Sequence, residues 1–74
     1  MYMLLDPAEL GPALQRARTR RGLTQAQLAQ RAQLSRIFVA KVEAGERMPS
    51  WDTLSRLAGP LKITVRVALV RQRR

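Results

Sequence analysis

The sequence predicts a mainly α fold: four short helices followed by one C-terminal β-strand. Three observations carry that prediction. Apolar residues recur at helical spacing from Leu10 to Ala58. Residues suited to capping a helix stand before each such stretch, at Asp6, Thr24, Ser35 and Ser50. From Leu61 onward the period shortens to strict alternation.

The first helix starts at Asp6-Pro7-Ala8-Glu9. Asp6 can cap, Pro7 suits the first helical position, and Glu9 can reach back. Leu10, Ala13, Leu14 and Ala17 form one apolar stripe. Arg16, Arg18, Arg20 and Arg21 load the end of the helix, where cations suit its dipole, and Gly22 stops it in the left-handed region. The second helix, over 25–32, opens on a capping box of Thr24 with Gln27 and buries Leu28, Ala29 and Ala32. Gln33-Leu34 is a tight connection. Ser35 caps a third helix that runs to about Ala44 and ends at Gly45. After the loop Glu46-Arg47-Met48-Pro49, Ser50 caps a fourth, with Asp52 near its positive end. Leu54, Leu57 and Ala58 face inward there, Trp51 covers the edge of the core, and Gly59-Pro60 stops the helix.

From Leu61 the chain alternates. Leu61, Ile63, Val65, Val67 and Leu69 fall on one side; Lys62, Thr64, Arg66 and Ala68 fall on the other. Period two with β-branched residues predicts a strand over 61–70. The organisation read from the chain is one domain: a bundle over 6–60, the strand, and a basic tail, RQRR, over 71–74. One strand cannot satisfy its own backbone groups. Its partner is either Tyr2–Leu5 of the same chain or the same strand of a second copy across a two-fold axis.

Composition narrows the function. The chain of 74 residues carries 14 Lys and Arg against 5 Asp and Glu, a net charge of +9. So positive a balance on so small a body favours a polyanionic partner. With no cysteine and no histidine, disulfides, thiolate metal sites and histidine catalysis are excluded. No nucleophile–base pair, metal cluster or phosphate-cradling glycine loop is visible, so the chain is not read as an enzyme and no cofactor is implied. No apolar run approaches the roughly 20 residues a membrane span needs. MYMLL is too short for a signal peptide and lacks a basic leader, so the cytoplasm is the expected compartment.

The stretch LSRIFVAK, residues 34–41, points to the partner. On a helical wheel Phe38, Val39 and Val42 cluster on one side, with Leu34 leading into them. Arg36, Ile37, Ala40, Lys41 and Ala44 cluster on the other. That outward face offers two cations, small residues and one aliphatic contact. A lone exposed apolar residue is common. In this setting, however, Arg and Lys can bond guanine, and an aliphatic group can meet a thymine methyl in a major groove. A single-strand stacking platform would need more aromatics than one Trp, one Tyr and one Phe. RNA recognition would need exposed aromatics or flexible basic segments, and only RQRR qualifies.

Residues 23–45, LTQAQLAQRAQLSRIFVAKVEAG, resemble the helix-turn-helix of the XRE/Cro family of lambda-repressor-like regulators. The resemblance runs from about Leu10 to Leu57. It rests on L-T-Q, L-A, the Ser before the third helix, V-x-x-V-E-x-G and P-S-x-D-T-L-x-x-L-A. The chain departs from the pattern at Gln33, where Gly is usual in the turn, and at Ile37-Phe38, where small polar residues are commoner. The resemblance implies a sequence-specific repressor of double-stranded operator DNA. It implies base contacts from Arg36, Ile37, Ala40 and Lys41, and phosphate contacts from Gln25, Ser35 and Arg47. It also implies a structural salt bridge between Arg18 and Glu43. Most DNA readers of this motif bind as dimers on paired half-sites. That favours a homodimer joined through the strand by Ile63, Val65, Val67 and Leu69. Four helices followed by a strand are similar to HipB-type antitoxins, which implies autoregulation and a cognate toxin as a further partner. A stand-alone phage-type or chromosomal regulator would show the same features.

Overall fold

The structure is a computed structural model that describes residues 7–64. Within it the chain forms α1 (Pro7–Arg20), α2 (Gln25–Ala32), α3 (Arg36–Glu43) and α4 (Trp51–Leu61). α2 packs against both α3 and α4, and α1 packs against α3. The core between them is aliphatic: Leu14 and Ala17 from α1, Leu28, Ala29 and Ala32 from α2, Val39 and Val42 from α3, Leu57 and Leu61 from α4. Leu10, Leu34, Phe38 and Leu54 pack around its edge.

The starts of three helices follow the capping chemistry of the sequence. Thr24 Oγ1 accepts the Gln27 N–H at 3.0 Å, and Gln27 Oε1 accepts the Thr24 N–H at 2.9 Å. Ser35 Oγ accepts the Phe38 N–H at 3.0 Å, and Ser50 Oγ accepts the Thr53 N–H at 3.2 Å. Each bond satisfies a donor that the first turn leaves unpaired. The Asp6 cap of α1 lies outside the described residues.

The helix ends share one device. Each of the four closes with a six-residue and a four-residue backbone hydrogen bond around a left-handed residue, the Schellman arrangement. In α1, for example, Leu23 N–H bonds the Arg18 carbonyl at 3.1 Å, and Gly22 N–H bonds that of Thr19 at 2.9 Å. The left-handed residues are Gly22, Gln33, Gly45 and Lys62, with φ of 69°, 58°, 80° and 55°. For Gln33 and Lys62 this backbone carries a steric penalty that glycine avoids, of about 1 kcal/mol. Gln33→Gly is therefore expected to raise Tm by a few degrees, the larger backbone entropy of unfolded glycine offsetting part of the gain. An unchanged or lower Tm would mean that the Gln33 side chain stabilises the turn by more than its backbone strains it.

Two expectations need correction. Gly59-Pro60 does not stop α4, which continues to Leu61 and is capped by left-handed Lys62. Proline normally excludes helix from the residue before it by clashing with that residue's Cβ, and Gly59 has none. The one backbone bond lost at Pro60 is outweighed by burial of Leu61, which is 2% exposed; burying a leucine is worth roughly 1.5–3 kcal/mol. Leu54, Leu57 and Leu61 thus continue the helical stripe, and Leu61 is not the first residue of a strand. No strand occurs among the described residues. Ile63 and Thr64 lie there in irregular, exposed chain, while residues 65–70 of the expected strand, Val65, Val67 and Leu69 among them, lie outside the described residues, as do Tyr2–Leu5 and the basic tail. Trp51, secondly, does not cover the core: it is 52% exposed. As the first residue of α4 its side chain leans toward the helix N-terminus, with no preceding turn to lie on.

At Gly11, which no signal in the sequence singles out, α1 comes close against the end of α3. A Cβ there would collide with the Glu43 carbonyl oxygen and lie 2.7 Å from that of Val42. Both are backbone atoms at the end of α3 and cannot swing aside. Gly11→Ala should therefore lower stability by about 1–3 kcal/mol. It should appear as a lower urea midpoint with an unchanged slope; a midpoint at or above that of the native chain would show that the helices can part without loss.

Candidate nucleic-acid interface

α3 is set by what it buries. Val39 and Val42 are each 2% exposed and face the core, with Phe38 half-buried beside them. That fixes the rotation of the helix. Arg36, Ile37, Lys41 and Ala44 are left exposed and Ala40 half-buried, all on the side away from the core. Ile37 is 62% exposed, beside two cations. The one acid of α3, Glu43, is turned inward and is 8% exposed. The outward face therefore carries positive charge with no carboxylate of its own helix to cancel it.

Glu43 is the centre of a buried network. Its Oε2 accepts Arg18 Nε at 2.6 Å and its Oε1 accepts Arg18 Nη2 at 3.0 Å, a two-pronged pair between side chains 14% and 5% exposed. Arg18 Nη1 also donates to the Leu23 carbonyl at 2.8 Å. Gln25 Nε2 donates to Glu43 Oε1 at 3.1 Å. One carboxylate thus ties the end of α1, the α1–α2 turn, the start of α2 and α3 together. Two planar, charge-assisted bonds fix angle as well as distance, so the network holds α3 in register against the helix before it.

Gln25, expected to meet a phosphate, is also tied into this network. Its side-chain amide faces Glu43 and is half-buried. Its backbone N–H, at the first position of α2, is among the donors that have no partner within the helix. A shallow, open groove of about 540 Å³ lies there, lined by Arg18, Thr19, Gly22, Leu23, Thr24, Gln25, Ala26 and Arg36. It brings the positive end of α2 beside the first cation of α3, an arrangement that suits an anion. Ser35 uses its oxygen to cap α3. A hydroxyl keeps its proton to donate elsewhere. Arg47 is exposed in the loop after α3, with its guanidinium carbon 5.6 Å from the centroid of the Phe38 ring. The bond from Gln25 to Glu43 and the placement of Arg47 over Phe38 were missed from sequence. Neither has a local signature, because each depends on how separate elements pack.

Other features are simpler. Arg16, Arg20, Arg21 and Arg31 are exposed. Arg56 pairs with Asp52 at 3.5 Å on an open helix face; such pairs contribute roughly 0–1 kcal/mol. No group of acids able to hold a metal ion occurs among the described residues, and no described helix is long and apolar enough to cross a membrane.

Comparison with known proteins agrees with this architecture. The family described as Helix-turn-helix domain matches residues 9–72. An immunity repressor protein of Bacillus phage phi105 is 43% identical over 56 residues, which cover 76% of this chain and 39% of the relative. The chain thus spans well under half the length of that protein. Among solved structures, the restriction-modification controller protein C.AhdI from Aeromonas hydrophila superposes with a TM-score of 0.76 at 37% identity, over 80% of this chain and 89% of that one. The clp gene regulator ClgR from C. glutamicum superposes with a TM-score of 0.77 at 26% identity, over 86% and 82% of the two chains. By name these are an immunity repressor, a restriction-modification controller and a gene regulator. The chain belongs to the Helix-turn-helix domain family.

Proposed function

We propose that the chain is a sequence-specific repressor of transcription that binds double-stranded operator DNA as a homodimer. The observation that carries this reading is the exposed face of α3: Arg36, Ile37 and Lys41 project from a helix whose only acid is buried. Laid in a major groove, Arg36 and Lys41 bond base edges, Ile37 meets a thymine methyl, and Ala40 permits close approach. The N-terminus of α2 with Gln25, the Ser35 hydroxyl and Arg47 take the flanking phosphates. Phosphate contacts position the helix and base contacts choose the sequence. The names of the phage repressor and the restriction-modification controller support a regulatory role.

The test is a footprint on DNA upstream of the chain's own gene at two salt concentrations. The expected result is two symmetric protected half-sites that weaken steeply with salt, with affinity falling by roughly one power of salt per phosphate neutralised. Protection that is diffuse, or insensitive to salt, would contradict the reading.

A second reading, the antitoxin and autoregulator of a toxin–antitoxin pair, rests on the alternating sequence over 61–70. It requires a toxin reading frame beside the gene and co-purification of its product. A lone gene would leave the stand-alone repressor.

A further inference from the structure

We propose that Phe38 is a positioning residue for Arg47, holding its guanidinium at the rim of the α3 face, where it takes a DNA phosphate; this rests on the DNA reading above. The guanidinium lies over the Phe38 ring, 5.6 Å from its centroid. The ring is itself held. Its backbone N–H is bonded by Ser35 Oγ at 3.0 Å, and its side chain is half-buried against the core. Arg47 has no such anchor, since it makes no hydrogen bond or salt bridge among the described residues. A long side chain in a loop samples many rotamers, and ordering it on DNA would oppose binding. Stacking removes part of that freedom before DNA arrives.

The chemistry of the pair is compatible with a third partner. A guanidinium stacks through its planar face and donates from its edge, so ring and phosphate do not compete. Arg18, the cation fixed in the buried network beside α3, is already committed to Glu43. Among the described residues, Arg47 is oriented by a ring and paired with no acid. The aromatic at position 38, unexpected for the motif, thereby acquires a use that packing alone would not require.

The experiment is a double-mutant cycle on Phe38→Leu and Arg47→Ala, with Phe38→Tyr and Arg47→Lys alongside. The probe is a fluorescent mixed-sequence duplex of about 24 base pairs at about 50 mM salt, because a phosphate contact acts on sequence-independent binding. Thermal melts establish that each variant is folded at the assay temperature. Phe38→Leu should weaken binding about two- to fivefold in the native background. It should have no effect once Arg47 is alanine. Phe38→Tyr should bind as the native chain does. Arg47→Lys, which keeps the charge and leaves the core untouched, should lose affinity and become insensitive to the residue at 38. Arg47→Ala should reduce the salt slope by about one.

An equal loss from Phe38→Leu with and without Arg47 would overturn the proposal and leave Phe38 a packing residue. Native affinity in Arg47→Lys would also overturn it, because a point charge would then suffice. If Phe38→Leu proves unfolded, the Arg47→Lys and Phe38→Tyr comparisons decide. Failure of the native chain to bind the duplex at all would be a different result, contradicting the DNA reading itself.

Discussion

Glu43→Ala is expected to remove about 3–5 kcal/mol of stability, the usual loss when one member of a buried ion pair is deleted. The Arg18 side chain, 14% exposed in the native pair, would be left with one carbonyl for three donor groups. Gln25 would lose its partner as well. In a domain of this size each kcal/mol shifts Tm by roughly 4–8 °C, so Tm should fall by at least about 12 °C. Much of this chain's stability would be gone, since small domains rarely hold more than a few kcal/mol in reserve. The origin of the loss is separable. Replacing both partners with apolar residues of similar length, Arg18→Met with Glu43→Leu, removes the orphaned charge. That double variant should melt above Glu43→Ala, although below the native chain, because the Leu23 carbonyl and Gln25 lose their partners. A double variant less stable than Glu43→Ala would show that the pair is not what holds α1 to α3.

Ile37→Asp should have the opposite signature: large in binding and small in folding. Ile37 is 62% exposed, so its removal opens no cavity. It is the second residue of α3, where an acid suits the helix dipole. Circular dichroism and Tm should therefore stay near native or rise slightly. Against a major groove, the new carboxylate loses the contact with a thymine methyl and faces phosphate and acceptor atoms. Operator affinity should fall by roughly a hundredfold, more than one mismatched base pair costs. A cooperative loss of structure would instead place Ile37 in the core and refute the orientation of α3.

How far the sequence disclosed this molecule depends on the range of the interaction. The limits of α2 and the start of α3 were legible because Thr24, Gln27 and Ser35 act within one turn of themselves. The left-handed turn at Gln33 was legible through the resemblance, although Gln is an unusual residue to hold it. The outward face of α3 followed from helical period alone, and burial of Val39 and Val42 fixes the same rotation. The end of α4 was misread. Leu61 satisfies both the helical spacing from Leu54 and Leu57 and the alternation that follows, and Gly59-Pro60 looked like a stop. Local signals conflicted there, and core burial decided between them. Gly11, the Gln25–Glu43 bond and the Phe38–Arg47 stack could not be read at all. They exist only once α1, α2, α3 and the following loop are brought together. The outward position of Arg36, Ile37 and Lys41 was thus the easier part to read, and the contacts that set α3 in place were the harder.

The central claim, that the outward face of α3 reads DNA sequence, is tested most directly by selecting duplexes from a random pool with the native chain and with Arg36→Ala and Ile37→Asp variants. The native chain should enrich one motif with two-fold symmetry. Arg36→Ala should relax one base position per half-site, and Ile37→Asp should enrich nothing. Recovery of the same motif by all three proteins would contradict the account and place sequence reading elsewhere on the molecule.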